Sequence, residues 1–206
     1  MQYQVFKEQL KDFGVFSISD IRKIDPKFYS PRLSEWQRKG YIKKLRRGYY
    51  MFSDMSLNEE MLFLIANYLY APSYVSLESA LSYYGLIPEG VYSITSISSK
   101  KTARFRTPIA DFTYRKVRSS LLFGYHLQKI RGRGYKIAEM EKAVLDYLYL
   151  NPKIANEADF YEWRFNGEEF LAKANIPKLY EYAKEFRQKS FFERLEKLLT
   201  LIKNSN

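Results

Sequence analysis

Three features of the sequence predict an α+β fold: apolar residues at helical spacing through the first forty residues, β-rich segments between Val91 and Ile137, and a return to amphipathic helical patterning after Pro152. At 206 residues the chain exceeds one typical domain and falls short of two large ones. We therefore expect small units at residues 1–54 and 58–150, with a helical segment at 151–206 packing on the middle one.

In chain order, Val5, Phe6, Leu10 and Phe13 repeat at helical spacing, which predicts a helix over residues 2–13 closed by Gly14. Val15-Phe16 is a short extended piece. Ser17 followed three residues later by Asp20 has capping-box form and predicts a second helix at 18–24, with Ile18, Ile21 and Ile24 on one face and Asp25-Pro26 as its stop. Both Asp25-Pro26 and Ser30-Pro31 resemble a cap with proline at the first helical position. A start at residue 26 would put Pro31 inside the helix at a cost of roughly 3 kcal/mol, so the third helix is placed from Ser30 to Lys39. Leu33 and Trp36 face inward, and Gly40 leaves the helix.

Tyr41 to Leu45 and Tyr49 to Phe52 are rich in β-formers, and Arg46-Arg47-Gly48 suits a three-residue hairpin loop. Ile42 and Leu45 fall on opposite faces of an ideal strand, so a bulge or an early end is expected. Helix, short helix, second helix and basic hairpin within about fifty residues is the order of a winged helix-turn-helix. The fold class read from the chain is therefore α+β: an N-terminal winged helix-turn-helix, then a mixed α/β domain, then C-terminal helices.

After residues 53–56, Asn58 opens an apolar helix to about Leu69, ended by Pro72. Ser76 is read as the cap of a helix from Leu77 to Tyr84, ended by Gly85, with Leu86-Ile87-Pro88-Glu89 leading out. Strands are predicted at VYSITSIS from Val91, DFTYRKV from Asp111 and FGYHLQKI from Phe123, with a short one at Tyr135 to Ile137 before a helix from Glu139 to Leu150. KKTARFRTP and SSLL are read as loops between them. Beyond Pro152, amphipathic segments fall at 156–165, 168–173 and 177–203, the last restarting at Ser190 and carrying a Phe192, Leu195, Leu198, Leu199 and Ile202 stripe that reads as core.

Composition removes much familiar chemistry. Cys is absent and His126 is the only histidine, which excludes disulfides, thiolate metal sites and a His pair for a metal. No glycine-rich phosphate loop or nuclease spacing is present. Asp111, Glu139, Glu141 and Asp146 are the acids an Mg²⁺-dependent nucleic-acid enzyme would use, with nothing beyond basic neighbours to recommend them. No catalytic residue, metal or cofactor is expected. The charged N-terminus resembles neither a secretory signal nor a membrane anchor, and Met61 to Tyr70 is about half the length of a bilayer span, so we expect a cytoplasmic protein with no membrane partner.

The net charge of +11 is unevenly placed: residues 22–47 hold ten cations against two acids, and residues 100–136 hold eleven against Asp111 alone. Two basic patches point to an extended polyanion, and double-stranded DNA fits best. Arg32, Ser34, Gln37, Arg38 and Lys39 are the predicted contacts of the third helix, and Lys43, Lys44, Arg46 and Arg47 those of the hairpin. Lys100, Lys101, Arg104 and Arg106, with Arg131 and Arg133 as expected spatial neighbours, form a candidate second nucleic-acid contact. A winged helix used as a protein-binding adaptor is the alternative.

GYIKKLRRGYYMF, SYVSLESALSYYGLIPE (73–89), SSKKTARFRT and IAEMEKAVLDYLYL (137–150), taken in order over roughly residues 1–150, resemble the AbiEi-type antitoxins of bacterial type IV toxin–antitoxin systems. The resemblance implies a winged helix that binds operator DNA as a monomer or as a dimer on inverted repeats and represses its own operon. It also implies a C-terminal region that counteracts a nucleotidyltransferase-like toxin without requiring a stable complex. The matching positions are Leu33, Trp36, Gly40, Arg47, Gly48 and Tyr49, then Ser76, Leu77, Ala80, Leu81, Gly85, Glu141, Lys142 and Asp146. Glu141, Lys142 and Asp146 read as a polar staple rather than as catalytic groups. A solitary regulator without an antitoxin role is the alternative within this reading.

Overall fold

A computed structural model of the chain describes residues 2–88 and 93–204. The chain is mixed α+β, with helices at both ends and a sheet between them. Helix α1 (Tyr3–Leu10) tightens into a 3₁₀ turn over Lys11–Phe13, where the sequence suggests one continuous helix. Gly14 then adopts a φ of +65°, and a Cβ there would lie 2.7 Å from Met61 Sδ, so glycine answers both a backbone and a packing demand. Strand β1 (Phe16–Ser17) leads into α2 (Ile18–Ile24), opened by the expected reciprocal box: Asp20 N–H donates to the Ser17 hydroxyl at 3.1 Å, and Ser17 N–H to the Asp20 carboxylate at 2.9 Å. Helix α3 (Pro31–Arg38) starts at Pro31, although Ser30 makes no side-chain capping bond. β2 (Ile42–Arg46) and β3 (Tyr49–Phe52) complete a three-stranded antiparallel sheet in the order β1-β3-β2.

The register of the hairpin shifts between Lys44 and Arg46, as the sequence suggests, but the reason differs from a strand with one buried face. Ile42, Tyr50 and Phe52 enter a small aromatic core with Phe6, Phe16, Phe28, Leu33 and Trp36, in which the Phe6 and Trp36 rings lie 4.6 Å apart. Leu45 and Met51 join the large core of the rest of the chain. The hairpin is buried on both sides.

Asn58 caps α4 (Glu59–Leu69) by accepting from Met61 N–H at 2.9 Å. β4 (Ser73–Val75), α5 (Glu78–Tyr83), β5 (Ser93–Ser98), β6 (Ala103–Arg106), β7 (Asp111–Lys116), β8 (Tyr125–Ile130), β9 (Arg133–Ala138) and α6 (Met140–Leu150) follow. The sheet order is β6-β7-β5-β4-β9-β8, with β5/β7 and β4/β9 parallel and the other pairs antiparallel. Tyr74 and Arg115 reach α6 from one face, while Tyr114 reaches the Ala66 carbonyl of α4 from the other, so a helix covers each side. Two readings are corrected: KKTARFR contributes an edge strand rather than a loop, and Ser76 does not cap α5, because its hydroxyl donates to Asp146 at 2.9 Å; Ser73–Val75, left unassigned by the sequence reading, is a central strand. Glu89 and the first two residues of the strand predicted from Val91 lie outside the described residues.

Helices α7 (Glu157–Glu162), α8 (Gly167–Lys173), α9 (Ile176–Lys184) and α10 (Lys189–Asn204) follow; α9 and α10 pack on α6, α7 and α8 pack on α10, and all four share the α6 core. Leu195, Leu198, Leu199 and Ile202 are buried as expected; Phe191 is fully buried, whereas Phe192 packs at the margin. No described helix is long and apolar enough to cross a membrane.

Lys142 and Asp146, one turn apart on α6, are both fully buried and form an ion pair. The Lys142 ammonium also donates to the Tyr74 hydroxyl at 2.8 Å, which in turn donates to Asp146 at 2.8 Å. Burial pulls the Lys142 pKa below the usual lysine value against the opposing pull of Asp146. Glu141 accepts from Asn175 N–H at 2.7 Å and pairs with Lys178 at 3.0 Å, tying α9 to α6. Because removal of one partner strands a buried charge, Lys142→Ala or Asp146→Ala is expected to cost about 3–5 kcal/mol in urea unfolding, while the double substitution Lys142→Met/Asp146→Leu costs far less than the sum of the two.

Candidate nucleic-acid interface

Helix α3 is divided cleanly. Leu33 and Trp36 are buried in the small core, while Ser34, Gln37, Arg38 and Lys39 are exposed and Arg32 is partly buried at the margin. Lys39 bonds Glu35 at 2.7 Å, which holds the Glu35 carboxyl below its usual value and leaves Lys39 less able than Arg38 to serve an outside anion. Two tyrosines that the sequence reading did not single out bracket the helix: Tyr29 is 67% exposed before it and Tyr41 41% exposed after it. Their only sequence signal is an aromatic on each side of an amphipathic helix, and the second was absorbed into the predicted strand.

At the hairpin, Lys44 and Arg47 are exposed and Lys43 is partly buried. Gly48, with a φ of +84°, closes the turn as the sequence suggests. Arg46 departs from expectation. The bulge sends both Leu45 and Arg46 toward the middle of the chain. There Arg46 Nη1 donates to the Leu69 carbonyl at 2.6 Å and its guanidinium lies 4.3 Å from the Phe105 ring centroid. Leu69 ends α4, so Arg46 satisfies an acceptor that the helix leaves open. It is not presented to an outside phosphate.

The second patch is also rearranged. β6 and the β8–β9 hairpin stand on opposite sides of β7, β5 and β4, so Arg131 and Arg133 are not neighbours of Lys100 to Arg106. Arg133 points inward, donating to the Phe13 and Val15 carbonyls at 2.7 and 2.8 Å, while Arg131 stays exposed at the hairpin turn. On β6, Arg104 is held by Asp111 at 2.6 Å, and Arg106 is exposed. Lys100 lies 5.4 Å from the Tyr70 ring centroid, and Lys101 is exposed beside it. The edge strand adjoins the basic hairpin through the Phe105 and Arg46 contact. Among the described residues, Arg38, Lys44, Arg47, Lys101 and Arg106 have no ion-pair partner.

The acids considered for metal chemistry are committed elsewhere: Asp111 to Arg104, Glu139 to Lys178 and Tyr182, Glu141 to Asn175 and Lys178, Asp146 to Lys142. No group of three or more potential metal ligands occurs among the described residues. No protein-family model matches the chain, and a search of curated proteins finds no match.

The support beneath α3 is sensitive to acid. Burial alone would raise the Asp20 pKa, but hydrogen bonds from the Ser17 hydroxyl and N–H, helped by Lys23 and Arg133, carry it below the usual aspartate value. A carboxyl lowered on folding contributes stability that is present above its unfolded value, near ~3.9, and lost as pH falls through the folded value. Asp20→Asn is therefore expected to destabilise the chain by about 1 kcal/mol at pH 7, with the difference closing below about pH 4 in a pH series of thermal melts.

Proposed function

We propose that this chain is a sequence-specific, duplex-DNA-binding regulator whose N-terminal unit is a winged helix-turn-helix. The observation that carries the reading is the placement of α3 and the hairpin tip. Leu33 and Trp36 are buried, Ser34, Gln37 and Arg38 are exposed, and Lys44 on β2 and Arg47 at the hairpin turn are exposed and have no ion-pair partner among the described residues. A helix of this kind reads base edges in a major groove, while the tip cations bind backbone phosphates. Exposed Lys101 and Arg106 add cations along the β6 edge that Phe105 joins to the hairpin. The element order helix, strand, helix, helix, hairpin supports the assignment. The resemblance to AbiEi-type antitoxins adds the operator of its own operon as target and opposition to a nucleotidyltransferase-like toxin as the wider role.

Gel-shift titration across duplex fragments upstream of its own gene tests the reading. One fragment is expected to bind well above random duplex. Arg47→Gln should weaken all sequences alike and reduce the slope of log affinity against log salt by about one. Arg38→Ala or Gln37→Ala should cost about 1–3 kcal/mol on the preferred fragment and relax the preference at one or two base pairs. Absence of any preference over random duplex would overturn it. Co-expression separates the wider roles: if the adjoining gene is toxic when expressed alone and this chain relieves the toxicity, the antitoxin role holds, whereas toxicity unchanged by this chain leaves a solitary regulator.

A further inference from the structure

We infer that Arg46 and Arg133 are positioning residues for the proposed interface: they lock α3 and the hairpin tip in one orientation relative to the β6 edge, and neither touches the nucleic acid. The inference rests on the regulator reading above. The two guanidiniums cross the boundary between the N-terminal unit and the large sheet in opposite directions. Arg46 leaves β2 and grips the end of α4 and the face of Phe105 on β6, with the Tyr49 and Tyr70 ring centroids 5.5 and 6.0 Å away. Arg133 leaves β9 and grips the segment between α1 and β1. Besides its two backbone acceptors it donates from Nε to the Tyr68 hydroxyl at 3.1 Å, with its Cζ 4.0 Å from the Tyr68 centroid and 4.5 Å from that of Phe13.

A planar guanidinium can stack on a ring and feed carbonyls in its own plane at the same time, which a lysine ammonium cannot. Val15, Leu45 and Met51 from the N-terminal unit are buried in the large core alongside these contacts, so rotation about one arginine is resisted by the other and by apolar packing. The ring that Arg46 holds lies on the edge strand β6, whose opposite face carries Arg104 and exposed Arg106, so the hairpin is fixed directly against that edge. A duplex engaging both surfaces gains from effective concentration only while their separation is held. When the orientation is released, apparent affinity falls by the fraction of molecules still in it.

Charge-conserving substitutions test this. Arg46→Lys and Arg133→Lys are each expected to bind the preferred duplex about tenfold more weakly, as when the competent orientation drops to about a tenth of molecules, with the salt slope unchanged. Arg46→Gln should likewise leave the slope intact, in contrast to Arg47→Gln one residue away. Full affinity in both lysine variants, or a slope lowered by about one in Arg46→Gln, would overturn the inference. A second readout needs no DNA. Because the chain has no cysteine, Lys27→Cys and Lys129→Cys take spin labels at single sites on either side of the boundary, and both positions are exposed. Their distance distribution should be narrow in the otherwise unaltered chain and broaden in Arg46→Lys/Arg133→Lys with helicity retained; an unchanged width would refute the clamp. If no duplex binds the parent chain, the regulator reading fails while the distance measurement still decides the clamp.

Discussion

The β2–β3 hairpin is a wall shared by two cores, and the arrangement of everything outside it follows from that. One side, through Ile42, Tyr50 and Phe52, closes the small aromatic core under α1 and α3; the other, through Leu45 and Met51, enters the large core built on the six-stranded sheet. A strand buried on both faces offers little to solvent, so the hairpin is exposed mainly at Lys44 and Arg47. With α1 and α2 beneath it and the hairpin turned inward, α3 keeps its Ser34, Gln37 and Arg38 face uncovered. The same burial draws Arg46 inward, where its guanidinium finds a carbonyl at the end of α4 and the rings of Phe105, Tyr49 and Tyr70.

A second constraint governs the far side of the molecule. Tyr74 and Ser76, at and just beyond the central strand β4, converge with Lys142 on the carboxylate of Asp146. A carboxylate and an ammonium without access to water need these additional donors and acceptors to offset the loss of hydration. Phe123 and Phe186 flank the ammonium at 5.0 and 5.2 Å, which brings the turn before β8 and the end of α9 into the same cluster. Glu141 continues the link into α9. The acids of this segment therefore serve cohesion between the sheet and the C-terminal helices.

Much of the local structure was legible because its causes are local. The reciprocal Ser17 and Asp20 box, the Asn58 cap, Pro31 at the start of α3 and Gly48 in the turn each act within a few residues, and each stands where the sequence puts it. The stripe from Leu195 to Ile202 was legible for a similar reason: helical periodicity exposes one face to the core whatever covers it. β4 and β6 were not legible. Ser73–Val75 is too short to show a period, and the alternation in Ala103–Arg106 is masked by cations that read as loop. Ser76 was misread as a cap because the carboxylate that claims its hydroxyl is seventy residues away.

The sequence by itself determined where α2, α3 and α4 begin, which face of α3 carries polar side chains, and that cations concentrate in two stretches, since composition and short-range hydrogen bonding decide these. It could not separate Arg46 from Arg47, or Arg133 from Arg131, because neighbouring arginines are chemically identical until the fold supplies an acceptor. Tertiary structure made that choice. The acceptors of Arg46 and Arg133 lie on other elements, at Leu69 and at Phe13 and Val15, and a guanidinium binds a carbonyl only when folding has brought the two within about 3 Å.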